Sequence, residues 1–191
     1  SHLTNEWDEY WDFFKRNPNS KLELRTKSVN LKSIISLEPL KNVFISFTLT
    51  GHKEGKTYDL RTPSIKARLS AINKLVDKGF KIGIHFDPII QSEDLEESYE
   101  VLIKELAKVL PNENLGYISI GVVRFTKDVF KEVEGNYPGS PILTQNFIKS
   151  FDGKVRYSHP MRMWMLNKVK SIILKNKFTE SKVYMCMENE N

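Results

Sequence analysis

The sequence predicts an α/β fold, an incomplete (partial) βα barrel with mainly parallel strands and flanking helices. Three observations carry that expectation. Apolar, β-branched runs alternate with segments whose apolar residues recur at helical spacing, and such alternation implies a mainly parallel sheet joined by helical crossovers. The apolar runs number five, too few to close an eight-stranded barrel. The last run, 183–187, ends four residues before the end of the 191-residue sequence. The pattern therefore reads as part of a barrel, a curved open sheet, or the carboxyl-terminal portion of something longer, with 1–191 as one domain and no visible boundary inside it.

Taken in order, Trp7, Tyr10, Trp11, Phe13 and Phe14 recur at helical spacing over 4–16, and Asn17-Pro18-Asn19 stops that helix. Residues 22–26, LELRT, alternate as a short strand. Asn30 is placed to cap a short helix through Ile35. Residues 43–49, VFISFTL, are the second strand, and the polar stretch 51–62 reads as a loop. Thr62-Pro63-Ser64 opens a helix whose buried stripe is Ala67, Leu69, Ile72, Leu75 and Val76, with Gly79 as its stop. The third strand covers 80–86 and is stopped by Pro88. A second strong helix covers 93–109, with Ser92, Glu93 and Asp94 before it and Pro111 after.

Residues 116–124, GYISIGVVR, are the fourth strand, and Thr126 is placed to cap a helix over 127–135. Pro138-Gly139 breaks the chain. Residues 142–158 give no clear period beyond a turn at Asp152-Gly153. Pro160 opens the last helix, with Met161, Trp164, Met165, Val169, Ile172 and Ile173 on one side. VYMCM is the fifth strand.

Composition narrows the function classes. No apolar run approaches the ~20 residues that cross a bilayer, so no membrane partner is expected. Residues 3–16 are acidic and aromatic, unlike a secretion signal. Ser1 and His2 look like cloning remnants and carry no weight. The single cysteine, Cys186, excludes an internal disulfide and a cysteine-rich metal site in this chain, and fits a cytoplasmic location. The net charge of +5, from 29 basic and 24 acidic residues, allows an anionic partner without demonstrating one.

Chemistry-bearing residues gather where the strands end, the edge at which parallel sheets bind ligands. KIGIHFDPII (81–90) interrupts an apolar run with His85 and Asp87, two apart and so on one face of an extended chain. These two are the catalytic candidates: His85 as an acid–base group or donor, Asp87 to orient a basic group or a ribose hydroxyl. Arg25-Thr26-Lys27-Ser28 end the first strand, Ser46 and Thr48 lie on the second, Arg124 ends the fourth, and Cys186 precedes Glu188 at the fifth. Arg25, Lys27 and Arg124 suit a carboxylate or phosphate. Lys154-Val155-Arg156-Tyr157, read as a loop after the Asp152-Gly153 turn, interleaves two cations with an aromatic ring that could stack on a base. The sequence has no Walker loop, G-x-G-x-x-G, H-E-x-x-H or G-x-S-x-G motif.

LELRTKS (22–28), FISFTL (44–49), the long run 61–90, GVVRF (121–125), DGKVRY (152–157) and VYMCME (183–188) together resemble the spore photoproduct lyase-like branch of the radical S-adenosylmethionine enzymes, across roughly residues 20–190. The resemblance implies a partial βα barrel. It implies a 4Fe–4S cluster on a C-x3-C-x2-C loop, reductive cleavage of S-adenosylmethionine to a 5′-deoxyadenosyl radical, and repair of a thymine lesion in DNA. This chain lacks that cysteine motif, so it looks like the carboxyl-terminal part of such an enzyme, with the cluster only in a longer parent and no radical chemistry by itself. Lys27 and Ser46 match positions that help hold S-adenosylmethionine, with Arg25 beside them as a third cofactor-binding candidate. Arg156 and Tyr157 match a pair near the DNA lesion, and Arg124 joins them as a substrate-binding candidate. His85 and Asp87 match a strand-end pair without an assigned role, and Cys186 is no cluster ligand. A missing amino-terminal segment, or self-association, would cover an open barrel edge.

Two other readings compete. One is a non-catalytic nucleic-acid or nucleotide-binding module using Arg25, Lys27, Arg124 and Arg156. The other is an unrelated half-barrel enzyme for a small molecule, with His85 and Asp87 as its acid–base pair.

Overall fold

Period-two alternation in the strands produces the two faces of the central sheet. In a computed structural model, which describes residues 6–188, strands β1 (Leu22–Thr26), β2 (Val43–Thr48), β3 (Lys81–Ile89) and β4 (Leu115–Val122) pair in sequence order, all parallel. A last strand, Val183–Met185, adds to β4, also parallel. Val43, Ile45 and Phe47 of β2, Ile82, Ile84 and Phe86 of β3, and Ile118 and Ile120 of β4 are fully buried. Phe47, Ile84 and Ile118 share one register row. The intervening residues form the other face, in two polar rows: Arg25, Ser46, Gly83 and Tyr117, then Thr48, His85, Ser119 and Tyr184.

The apolar face is covered by α3 (Ile65–Asp77) and α4 (Leu95–Val109), and by a helix over His159–Lys175. Each of these buries a stripe at helical spacing, such as Leu69, Ile72 and Leu75 or Leu102, Ile103 and Leu106. At the start of α3, Ser64 Oγ accepts from the Ala67 N–H at 3.2 Å. Gly79 sits at φ +92°, a conformation that favours glycine. Thr126 likewise accepts from Val129 N–H to start α5 (Lys127–Asn136). Before the sheet, α1 (Glu6–Arg16) buries Trp11, whose Nε1 donates to the Glu38 carbonyl at 2.6 Å; residues 4 and 5 of the expected helix lie outside the described residues.

Several expectations are corrected. The stretch 51–62, read as a loop, contains α2 (His52–Tyr58). It has no apolar stripe, and instead Glu54 is buried and accepts hydrogen bonds from Ser92 and Ser98. Asn30 to Ile35 makes only turns, because the bonds from the Ile34 and Ile35 N–H groups to Leu31 do not propagate. Pro88 does not stop β3: the strand runs on to Ile89 across a cis Asp87–Pro88 bond, and the pairing with β4 shifts register there, where a residue without an N–H is tolerated. The fourth strand splits after Val122. Its tail becomes β5 (Arg124–Thr126) in a small antiparallel sheet with β6 (Phe147–Lys149) and β7 (Lys154–Tyr157), in the order β5-β7-β6. Lys154–Tyr157 is thus strand rather than loop. Phe125, Phe130, Phe147 and Tyr157 stack to hold this unit together. The helix over His159–Lys175 (α6) leaves Trp164 exposed and buries Arg162 instead, paired with Glu188; the last strand, β8, ends at Met185.

Arg68 is the largest fully buried side chain. From α3 its guanidinium donates to the Thr48 carbonyl at 2.9 Å, to Asp59 at 2.9 Å, to the Pro63 carbonyl and to Thr62 Oγ1. It ties β2, the segment after α2 and the start of α3 into one corner. Arg68→Leu removes those bonds and leaves a half-buried carboxylate short of a partner. The expected cost is about 3–5 kcal/mol in chemical denaturation, against under ~1 kcal/mol if the corner is dispensable.

Candidate functional site

The polar face of the sheet is built from the side chains that alternation turns away from the helices. Ser46, Thr48, His85 and Ser119 are small or flat enough to lie buried on the strands. Longer side chains from the same face reach over them. Glu23 Oε1 accepts from Ser46 Oγ at 2.5 Å and meets His85 Nε2 at 2.7 Å. The Tyr117 hydroxyl lies 3.1 Å from the same nitrogen, and its ring stands edge-on to the imidazole at 5.5 Å. Arg25 Nε donates to Thr48 Oγ1 at 3.2 Å. Gly83 makes room for this arrangement: a Cβ there would lie 2.5 Å from the Tyr117 ring.

At the carboxyl ends of the strands, Arg124 faces Asp87 at 3.5 Å and Cys186 Sγ at 3.8 Å. Gly121 of β4 leaves the space that the Asp87 carboxylate fills, since a Cβ would meet its Cγ at 2.9 Å. Arg25 also approaches the Asp87 carbonyl at 3.5 Å. The face thus gathers Arg25, Ser46, Thr48, His85, Asp87, Arg124 and Cys186.

Other expected residues lie elsewhere. Lys27 turns to Asp59, which is held in turn by Arg68. Arg156 is opposite Arg124 across the β5–β7 pair but is held by Ser150 Oγ at 3.0 Å and Asp152 at 3.1 Å. Tyr157 is buried; its hydroxyl donates to Gln145 and accepts from the Gln91 N–H. Glu188 pairs with Arg162. Glu23 and Tyr117 went unread in the sequence. Glu23 stands two residues before Arg25, on the same face by strand period, and that signal was available. Tyr117 needed the β3–β4 register, which no local pattern carries.

The electrostatics separate charged from neutral members. Burial pushes the His85 imidazole below its ordinary value of 6.5, against the opposite pull of the Glu23 hydrogen bond. Partial burial would raise the Glu23 carboxyl, but hydrogen bonds from Ser46, Tyr117 and His85 outweigh it and hold Glu23 below its ordinary 4.5. The pair is therefore a carboxylate accepting from a neutral imidazole. Burial also raises the Tyr117 hydroxyl, so it stays protonated, and raises that of Tyr157 to about 12. Arg25 gives its two hydrogen bonds to neutral oxygens, leaving most of its five N–H donors for a ligand anion.

The family model described as spore photoproduct lyase matches residues 1–184. The chain is 21% identical over 140 residues to the spore photoproduct lyase of Clostridium acetobutylicum, covering 73% of this chain and 41% of that protein. It is 25% identical over 139 residues to that of a Geobacillus species, covering 72% and 41%. The chain thus spans about two fifths of the length of these curated relatives. Among solved structures, it is similar to a spore photoproduct lyase complexed with dinucleoside spore photoproduct, with a TM-score of 0.79 at 21% identity, over 96% of this chain and 56% of that one. A doubly substituted spore photoproduct lyase with bound AdoMet and dinucleoside spore photoproduct gives the same values. At this identity the structural likeness establishes the fold: a five-stranded parallel sheet with flanking helices, as in a partial βα barrel.

The depressed His85 value has a consequence for stability. The unfolded chain takes up the proton first, so the stabilisation is complete above 6.5 and is lost as pH falls through the lower folded value. Thermal melts between about pH 7.5 and 5 should show an acid-side loss that His85→Gln reduces. Parallel pH profiles for the two proteins would contradict the neutral, buried imidazole.

Proposed function

The chain belongs to the spore photoproduct lyase family, and from that membership we propose that it forms, as one domain over 1–191, the carboxyl-terminal part of a radical S-adenosylmethionine enzyme that acts on DNA lesions. The observation that carries the reading is the single polar face, on which two rows of hydrogen-bonding side chains meet unsatisfied Arg25 donors at the ligand-binding ends of parallel strands.

The residues fit S-adenosylmethionine. Arg25 is placed to receive its carboxylate bidentately, Ser46 and Thr48 offer hydroxyls, and a buried His85 nitrogen stands without a partner. Lys27 supports the site through Asp59 and Arg68 and adds positive charge at its edge. The residues do not fit a 4Fe–4S cluster: the chain has one cysteine, and among the described residues no group of three or more His, Cys, Asp or Glu could hold a metal ion. On this reading the cluster would sit on a C-x3-C-x2-C loop of a longer polypeptide. S-adenosylmethionine, held by Arg25, Ser46 and Thr48, would supply a 5′-deoxyadenosyl radical by one-electron reductive cleavage, with methionine leaving.

Arg124, at the edge of the polar face, is paired across β5 and β7 with Arg156, and on this reading the two guanidinium groups contact a phosphodiester. Tyr157 acts from beneath by holding Gln91 and Gln145, since its hydroxyl is already engaged. Asp87 aims Arg124.

Two measurements test this. Under strong reductant the chain alone should form no 5′-deoxyadenosine, and a polypeptide that joins it to a reconstituted C-x3-C-x2-C cluster loop should form it. By calorimetry, Arg25→Ala should weaken S-adenosylmethionine binding by about tenfold or more, the worth of one charge-assisted hydrogen bond. Cleavage by the chain alone, or unchanged affinity in Arg25→Ala, would overturn the reading.

A further inference from the structure

Beneath Glu23 one buried atom is left unexplained. His85 is 5% exposed, and its Nδ1 has no hydrogen-bond partner. The other ring nitrogen is fully engaged, 2.7 Å from Glu23 Oε1 and 3.1 Å from the Tyr117 hydroxyl. A bare nitrogen lone pair cannot approach a carboxylate oxygen at that distance, so Nε2 carries the proton and donates it. The ring is neutral, so Nδ1 keeps its lone pair and is an acceptor. Buried acceptors are paired as a rule, and an orphan marks a place where a ligand or water completes the bond. Ser46 Oγ donates to the same Glu23 oxygen at 2.5 Å, so the carboxylate is oriented before any ligand arrives.

We propose that His85 Nδ1 accepts a hydrogen bond from the Watson–Crick edge of a bound nucleobase, and that Glu23 is the positioning residue that fixes His85 in the tautomer able to do so. The base follows from the neighbours. His85 shares a register row with Thr48, and Thr48 holds Arg25. His85 and Arg25 thus flank Thr48, the one with an acceptor and the other with free donors. That pair complements an N–H next to a carbonyl or ring nitrogen, the arrangement on thymine and adenine edges alike. The inference rests on the proposed function, in which nucleotides occupy this face.

The test uses the whole chain labelled with 15N in its histidine rings, with His85→Asn to assign the signals. At neutral pH the free chain should show a protonated Nε2 and an unprotonated Nδ1 for His85. Saturation with S-adenosylmethionine or with thymidylyl-thymidine, in separate titrations, should shift Nδ1 and leave Nε2 in place. The arm that shifts it identifies adenine or thymine as the base. If thymine is the partner, methylation at N3 should weaken the dinucleotide about fivefold to tenfold. Glu23→Ala should mix the two tautomers and weaken the same ligand by a similar factor. His85→Asn, whose side-chain oxygen can stand in for Nδ1, should bind better than His85→Gln. A protonated Nδ1 in the free chain overturns the inference without any ligand. Tight binding with an unmoved Nδ1 overturns it while leaving the proposed function standing. Binding of neither ligand overturns both.

Discussion

Everything on the polar face depends on the alternation of the parallel strands beneath α3, α4 and α6, which register shifts between β3 and β4 interrupt but do not undo. The apolar residues of β2, β3 and β4 must face α3, α4 and α6, and burying each Ile or Phe is worth roughly 1.5–3 kcal/mol. A one-residue slip in any strand would send that set to the wrong side. The same constraint that buries Phe47, Ile84 and Ile118 therefore delivers Thr48, His85 and Ser119 in one row and Arg25, Ser46 and Tyr117 in the next. The core and the site are two readings of one pattern.

The charges that this pattern collects are largely balanced within the fold. Lys27 and Arg68 share Asp59, Arg124 faces Asp87, Arg156 faces Asp152 and Arg162 faces Glu188. Several of these pairs are half-buried, where an unpaired charge would be costly. Such pairing orients guanidinium groups without spending all their donors, since each has five. Arg25 stands apart from these by resting on neutral oxygens.

Much of this was legible in the sequence. The five parallel strands, the helices α3, α4 and α6, the Thr126 cap and the Gly79 stop were all readable because each rests on a local period or a local hydrogen bond. His85 and Asp87 were readable as a pair for the same reason. The misses share a cause of their own. Helix α2 is held by Glu54 reaching to Ser92 and Ser98, about forty residues away. β5 to β7 are three- and four-residue strands that cohere through a cluster of aromatic rings from distant segments. Pro88 stays within β3 because a register shift in β4 accommodates it. Glu23 and Tyr117 converge on His85 only once three strands are in register. In each case the deciding contact is non-local, and residue type alone does not reveal it.

The central claim is that the polar face of the sheet, and not the helical side, is where this family member meets its nucleotide ligand. Backbone amide shifts of the 15N-labelled chain during titration with S-adenosylmethionine test it directly. The account predicts perturbations concentrated at Arg25, Ser46, His85, Ser119 and Arg124, with the outer surfaces of α3 and α4 unmoved. Perturbations confined to those helices, or none at saturating ligand, would contradict it.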